Sequence, residues 1–225
     1  MDHLATLISI FMINMVLSGD NAVVIALASR RLPPRQQKAA ILIGSFGAII
    51  MRIILTAVIV VLLKIPFLQA LGGLLLIYIA VKLVRVEDFG TGGNKTASNL
   101  IEAIKIIVFA DLIMSLDNTL AIAAICRGDW LMLIIGLVTS IPIIIFCAQI
   151  ILYLMKRLPI ITYAGAGILG WTAGKMLLED KMLGILLCGQ MGDIPEMIQT
   201  AVPLIITAFV IVYGWFSSFR LRQRW

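Results

Sequence analysis

Charge is scarce in this chain. Asp, Glu, Lys and Arg make up 13% of its 225 residues, about half the share usual in soluble domains. A soluble globular or disordered reading is therefore excluded. Histidine is scarcer still: His3 is the only one, which removes His-based catalytic triads and imidazole metal cages. The three cysteines, Cys126, Cys147 and Cys188, show no Cys-x-x-Cys or Cys/His spacing, so a zinc site and a dithiol redox centre drop out as well. Cys147 falls in an apolar run and reads as packing. Cys126 and Cys188 fall on one side of the topology derived below, which leaves a disulfide between them open. A basic leader and small-residue cleavage site are also missing, so the first apolar run is expected to remain as a helix. The net charge of +6 does not call for a nucleic-acid partner, because basic residues at span ends are an ordinary topology signal. No catalytic constellation is legible, and the chain is not expected to be an enzyme.

What is abundant is apolar surface. Hydrophobic residues make up 61% of the chain, with a mean hydropathy of +1.08. About 20 apolar residues cross the hydrocarbon core as a helix, and on that ruler the chain divides into seven spans. They fall near 4–28, 39–63, 67–84, 100–125, 130–154, 160–178 and 195–218. The predicted fold class is thus an all-α polytopic membrane protein, a single transmembrane domain with short loops. Arg30 to Lys38 reads as a polar turn whose Pro33 and Pro34 stop the first helix. Lys64-Ile65-Pro66 reads as a tight turn, and Glu87 to Asn99 as a flexible linker. Asp193 reads as an N-cap with Pro195 in the first turn of the last span. Twelve Lys and Arg residues near span ends fall on one side, and four (Lys64, Arg127, Lys175, Lys181) on the other. That bias predicts an outside N-terminus and a cytoplasmic C-terminus.

Two of the spans carry matching polar interruptions, Ser18-Gly19-Asp20-Asn21 and Ser115-Leu116-Asp117-Asn118. A shift of 97 aligns Ser18 with Ser115, Asp20 with Asp117, Asn21 with Asn118 and Asn14 with Asp111. An offset of 93 then aligns Pro66 with Pro159, Gly72 with Gly165 and Lys82 with Lys175. Spans one to three (4–84) and four to six (100–178) therefore read as two repeats, and an odd number of spans inverts the second. Interrupted helices at corresponding places in inverted repeats mark the midplane binding sites of secondary transporters. The seventh span stands outside the repeat.

A carboxylate at membrane depth costs about 2.5–3.5 kcal/mol on insertion scales and is a functional-site candidate by default. Asn14 and Asn21, seven residues apart, share a helix face, as do Asp111 and Asn118. Asp20 and Asp117 join them if the helices unwind at Ser18-Gly19 and Ser115-Leu116. The resulting candidate metal site comprises Asp20, Asn21, Asp111, Asp117 and Asn118, with Asn14, Ser18 and Ser115 as additional ligands or path. All its donors are oxygen, a set suited to Mg, Ca or Mn. Met12, Met15 and Met114 flank the motifs, and a thioether would tilt the preference toward manganese, though most methionines here serve packing. Arg52, inside the second span, reads as a buried counter-ion that pairs with a carboxylate when the cation is absent, and Asp111 reads as a ligand, a proton carrier or that partner. Polar groups in membrane helices also serve as glue between helices, and for Asn14 that reading stays equally open. Lys105 is placed to snorkel to the inner surface. Gly72, Gly73, Gly165, Gly167 and Gly170 read as close-packing positions.

At these residues the sequence resembles the TerC family of integral membrane proteins, over nearly its whole length. The carriers are Gly19-Asp20-Asn21-Ala22-Val23-Val24-Ile25-Ala26, Leu32-Pro33-Pro34, and Ser115-Leu116-Asp117-Asn118; Thr119 stands where the first copy has Ala22. The resemblance implies a LysE-type transporter of the bacterial plasma membrane, associated with manganese efflux and tellurium resistance operons. It places metal-site aspartates on Asp20, Asp111 and Asp117. Mn2+ would then be a transported substrate, with no permanently bound cofactor, and the partners would be that ion and the lipid bilayer. A homo-oligomer stays open. In the hypothesised cycle the cation binds the three aspartates from the cytoplasm as Arg52 is displaced, and a proton entering from outside neutralises one carboxylate, with Asp111 the candidate, and releases the ion. Two other readings remain. One is an exporter of a small organic cation or amino acid, with Tyr78, Phe109 and Trp171 as the nearby aromatics; the other is a non-transporting membrane partner.

Overall fold

The structure, a computed structural model, describes residues 19–62, 65–84, 96–126, 130–180, 182–183, 185 and 194–222. Among them are seven helices and no strand: α1 (Gly19–Ser29), α2 (Pro34–Leu62), α3 (Leu68–Val84), α4 (Thr96–Cys126), α5 (Trp130–Arg157), α6 (Ile160–Glu179) and α7 (Glu196–Arg222). The segments 34–58, 137–157 and 196–217 are long and apolar enough to cross a bilayer, while α1 as described and α3 are shorter apolar helices. α4, at 31 residues, is also long enough to cross. Large apolar side chains such as Ile54, Phe146 and Phe209 are more than half exposed, as expected where the surrounding medium is lipid. The chain is a polytopic all-α membrane protein.

Several boundaries differ from the sequence expectation. The polar turn is shorter than Arg30 to Lys38, because α2 already begins at Pro34. Proline is at home in a first turn, where its missing N–H has no intrahelical use, and Gln37 N donates to Pro33 O at 2.9 Å. The expected linker loses its last four residues to α4, which starts at Thr96; once nucleated, a helix extends at little cost. Pro195 precedes α7 instead of sitting in its first turn, and its carbonyl accepts from Ile198 N and Gln199 N at 2.8 and 3.1 Å. The tight turn after α2 is closed by Ile65 N donating to Leu62 O. It ends at Phe67, whose φ of 61° is sparsely populated for an aromatic residue. Asp193 and Cys188 lie outside the described residues, as does the side chain of Cys126.

The chain forms two compact units: residues 1–60 with 94–156, and residues 61–93 with 157–225. The first contains α1, nearly all of α2, α4 and nearly all of α5. α1 packs on α4. Glycines bring α2 against α4 as well: a Cβ on Gly44 would meet Ile107 at 2.9 Å, and one on Gly47 would meet Val108 at 3.0 Å. Contacts between these two helices climb together, from Gly44 and Ile107 to Arg52 and Ser115, so they run parallel. The buried positions of α2 (Gln37, Ile41, Ser45, Ala48, Arg52, Thr56) repeat at helical period, forming one inward face.

The second unit contains α3, α6 and α7, with α6 packed on both of the others. Gly73 of α3 lies against the carbonyl of Ala173, Gly170 of α6 against the Thr207 backbone, and Gly174 against Pro203. Asp180, 4% exposed, ends α6 and ties the unit together. Its Oδ2 accepts from Ala70 N in the first turn of α3 at 3.2 Å, and its Oδ1 from Met182 N and Leu183 N at 3.0 and 3.1 Å. Bonds to an ionised acceptor are each stronger than neutral ones. Asp180→Ala is expected to cost about 2–3 kcal/mol, and Asp180→Asn roughly half of that, read as lowered thermal midpoints of the purified protein in detergent.

A buried guanidinium–carboxylate pair as candidate functional site

The first unit holds a charged group deep among apolar side chains. Arg52 projects from the inward face of α2 and is 2% exposed, the largest side chain buried to that degree. Its position follows from helical spacing with Ala48, Leu55 and Thr56, whose side chains share its face. Such a charge is tolerable only with partners, and α4 supplies them. Arg52 Nη2 donates to Asp111 Oδ1 at 2.5 Å, and Arg52 Nε donates to Ser115 Oγ at 2.8 Å. Ser115 in turn donates to Asp111 Oδ2 at 3.3 Å. Asp111 and Ser115 are one helical turn apart, so one face of α4 presents a carboxylate and a hydroxyl to one edge of the guanidinium. Both are buried, Asp111 at 7% and Ser115 at 0% exposure.

α1 brings a second carboxylate to the same unit. Asp20 lies within electrostatic reach of both Arg52 and Asp111, and its Oδ1 accepts the backbone amide of Asn21 at 2.9 Å. Asn21 is 2% exposed. Beside them, Gly19 has open space where a Cβ would stand. Counted by formal charge, the single arginine matches only one of the two carboxylates.

The other sequence-derived candidates are distributed differently. Asn14 and Ser18 lie outside the described residues. Asp117 and Asn118 are within α4, but their side chains are outside the described ones. Among the described residues, no three His, Cys, Asp or Glu side chains gather as a metal-binding group. The predicted unwinding at Ser115-Leu116 does not occur, since α4 is continuous from Thr96 to Cys126. The physical reason is local: the Ser115 hydroxyl is engaged by Arg52 and by Asp111, four residues back, and so does not compete for the backbone ladder. Phe109 and Tyr78 point outward, 59% and 62% exposed. Lys105 is exposed, and Lys175 lies 5.9 Å over the Trp171 ring on its own helix.

Sequence reasoning missed Gln37, Ser45 and Asp180. Gln37 is 5% exposed; its Nε2 donates to Arg30 O at 3.1 Å and its Oε1 accepts from Lys156 Nζ at 2.8 Å. A signal for Gln37 and Ser45 was present, because residues 37, 45, 52 and 56 fall on one helical face. None existed for Asp180, whose partner Ala70 is 110 residues away.

Seven helices with lipid-compatible surfaces and an ion pair buried inside one bundle define a polytopic membrane protein with a charged intramembrane centre. The family model of the Integral membrane protein TerC family matches residues 1–222, and the chain belongs to that family. It is 43% identical to the Bacillus subtilis (strain 168) protein described as uncharacterized membrane protein YjbE, over 94% of each chain. It is also similar to YceF of that organism, at 29% identity over 75% of this chain and 68% of YceF. A third relative, YkoY, is 26% identical over 72% of this chain and 56% of YkoY. No solved structure matches the chain.

Proposed function

We propose that this protein is a secondary transporter that exports a divalent metal cation, with Mn2+ as its substrate, across the bacterial plasma membrane. The observation that carries the reading is the Arg52 guanidinium seated on Asp111, with Asp20 in electrostatic reach, inside an apolar bundle. Two carboxylates and one arginine at membrane depth are costly as architecture. As a substrate-free site they make sense, because the arginine stands in for part of the cation's charge. The donors Asp20, Asn21, Asp111, Asp117 and Asn118 are oxygen ligands suited to a hard divalent ion. The cation entering from the cytoplasm displaces Arg52 from Asp111, and Ser115 keeps one hydrogen bond to the freed guanidinium. The unit make-up supports a repeat-based cycle: α1 with α4, and α2 with α5, share the first unit, while α3 and α6 share the second. The count of basic residues supports an outside N-terminus.

The experiment is Mn2+ flux by the purified protein in proteoliposomes, competed with Mg2+, Ca2+ and lysine. Asp20→Asn is the informative variant, since it removes one charge at nearly constant shape and leaves the Arg52–Asp111 pair intact. Flux is expected to fall at least tenfold while the thermal midpoint stays within a few degrees. Wild-type flux in that variant would sink the site assignment. Flux competed by lysine and indifferent to divalent ions would replace the metal by an organic cation.

A further inference from the structure

Ser45 and Ser29, both in the first unit, are not accounted for by the ion pair. They are buried, 1% and 0% exposed, and neither hydroxyl has a hydrogen-bond partner among the described residues. A helical serine has a ready alternative, donating to the carbonyl three or four residues back. Ser140, equally buried in α5 of the same unit, does this onto Leu137 O at 2.6 Å. Ser45 and Ser29 do not. A buried polar atom without a protein partner calls for a water or an ion.

The orphans stand at two levels of the first unit. A third, Gln36 Oε1, sits in the first turn of α2 beside Gln37, which links the end of α1 to α5 through Arg30 O and Lys156 Nζ. Ser29 closes α1 at that same end. Ser45 is eight residues beyond Gln37 and seven before Arg52, so at 1.5 Å per residue it stands about 12 Å from one and about 10 Å from the other along the axis. Spacings of eight and seven keep Gln37, Ser45 and Arg52 on one face of α2, whereas Gln36 stands half a turn away from Ser45.

We propose that Ser29 and Ser45 line a hydrated track inside the first unit, carrying water from the Pro34 end of α2 to the Arg52–Asp111 pair. Uncharged hydroxyl and amide oxygens suit water and a hydrated cation. That a cation moves along the track rests on the transporter reading; its hydration rests on the orphan groups alone.

The test compares Ser45→Cys with Ser140→Cys, each in a background with Cys126, Cys147 and Cys188 changed to Ser. The two positions are matched in burial and differ in whether the hydroxyl is satisfied. Proteoliposomes are exposed to Ag+ in chloride-free buffer, denatured, and assayed for remaining thiol by maleimide mass tagging. Ag+ is as small as a bare alkali ion and reaches a thiol only through water. The expected result is more than 80% protection by silver of the Ser45→Cys thiol and less than 20% at Ser140→Cys. Equal reaction of both, or of neither, would overturn the track. Ser45→Ala supplies an independent reading: loss of a water-bonded hydroxyl lowers the thermal midpoint, whereas removal of a dry orphan raises it. A raised midpoint would also overturn the proposal. Neither measurement uses transport, so failure of the flux assay and failure of the track are separate outcomes.

Discussion

Asp111→Ala is expected to destabilise the protein by about 3–5 kcal/mol, the usual result of removing one partner from a buried ion pair. The size follows from what is left behind. Arg52 stays 2% exposed, and of its two side-chain partners only Ser115 remains. Attraction to Asp20 persists, but among the described residues the Asp20 carboxylate accepts from the Asn21 amide and not from the guanidinium. Asp111→Asn keeps an acceptor oxygen and loses the charge, so it falls between wild type and alanine. The double change Arg52→Met with Asp111→Leu is expected to recover most of the loss, because replacing a whole buried pair by apolar residues is often neutral or better. Thermal unfolding in detergent measures all four proteins. A loss under 1 kcal/mol in Asp111→Ala would mean that water or another anion reaches the guanidinium. A stable double variant without flux would separate the pair's role in transport from its role in folding.

The second large effect belongs to the other unit. A Cβ on Gly174 would stand 2.5 Å from Pro203 Cα, 3.0 Å from its Cβ and 3.1 Å from its N. These are mostly backbone atoms of α7, and no rotamer change relieves them. Gly174→Ala therefore forces α6 and α7 apart, at about 3 kcal/mol or more, the upper end of overpacking costs. Gly167→Ala is the matched control. There the nearest atom is Ile211 Cδ1 at 2.9 Å, the mobile end of a side chain, and a loss of about 1 kcal/mol or less is expected. The comparison is read from thermal midpoints and from the yield of monodisperse protein. Equal losses in the two variants would show that α7 adjusts as easily as a side chain.

How much of this was legible beforehand depends on the range of the interaction. The helices were visible because apolar run length is a local property set by bilayer thickness. Pro34 illustrates the limit: proline's stop signal was recognised, but not its equal fitness for a first turn, so the start of α2 was read five residues late. Asp111 and Arg52 each stood out alone, since a charge within an apolar run is expensive wherever the helix goes. Their pairing was not determined by that cost. Asp111 had been one candidate partner of Arg52, beside its readings as ligand and proton carrier, and the choice among these came from the parallel packing of α2 on α4 through Gly44 and Gly47. The unwinding expected at Ser115-Leu116 assumed that the carboxylates needed a broken helix to converge. In the structure the arginine, long enough to reach, does the converging while α4 stays intact.

The chain by itself determined that this is a polytopic all-α membrane protein with carboxylates and an arginine inside its apolar spans, because hydropathy and the cost of buried charge depend only on what lies within one helix. Tertiary structure alone decided that Arg52 takes Asp111 and Ser115, that Asp180 secures Ala70 from 110 residues away, and that Ser45 is orphaned while Ser140 is not. Those outcomes depend on which helix faces meet and in what register, and side-chain packing between distant segments leaves no periodic trace in either one.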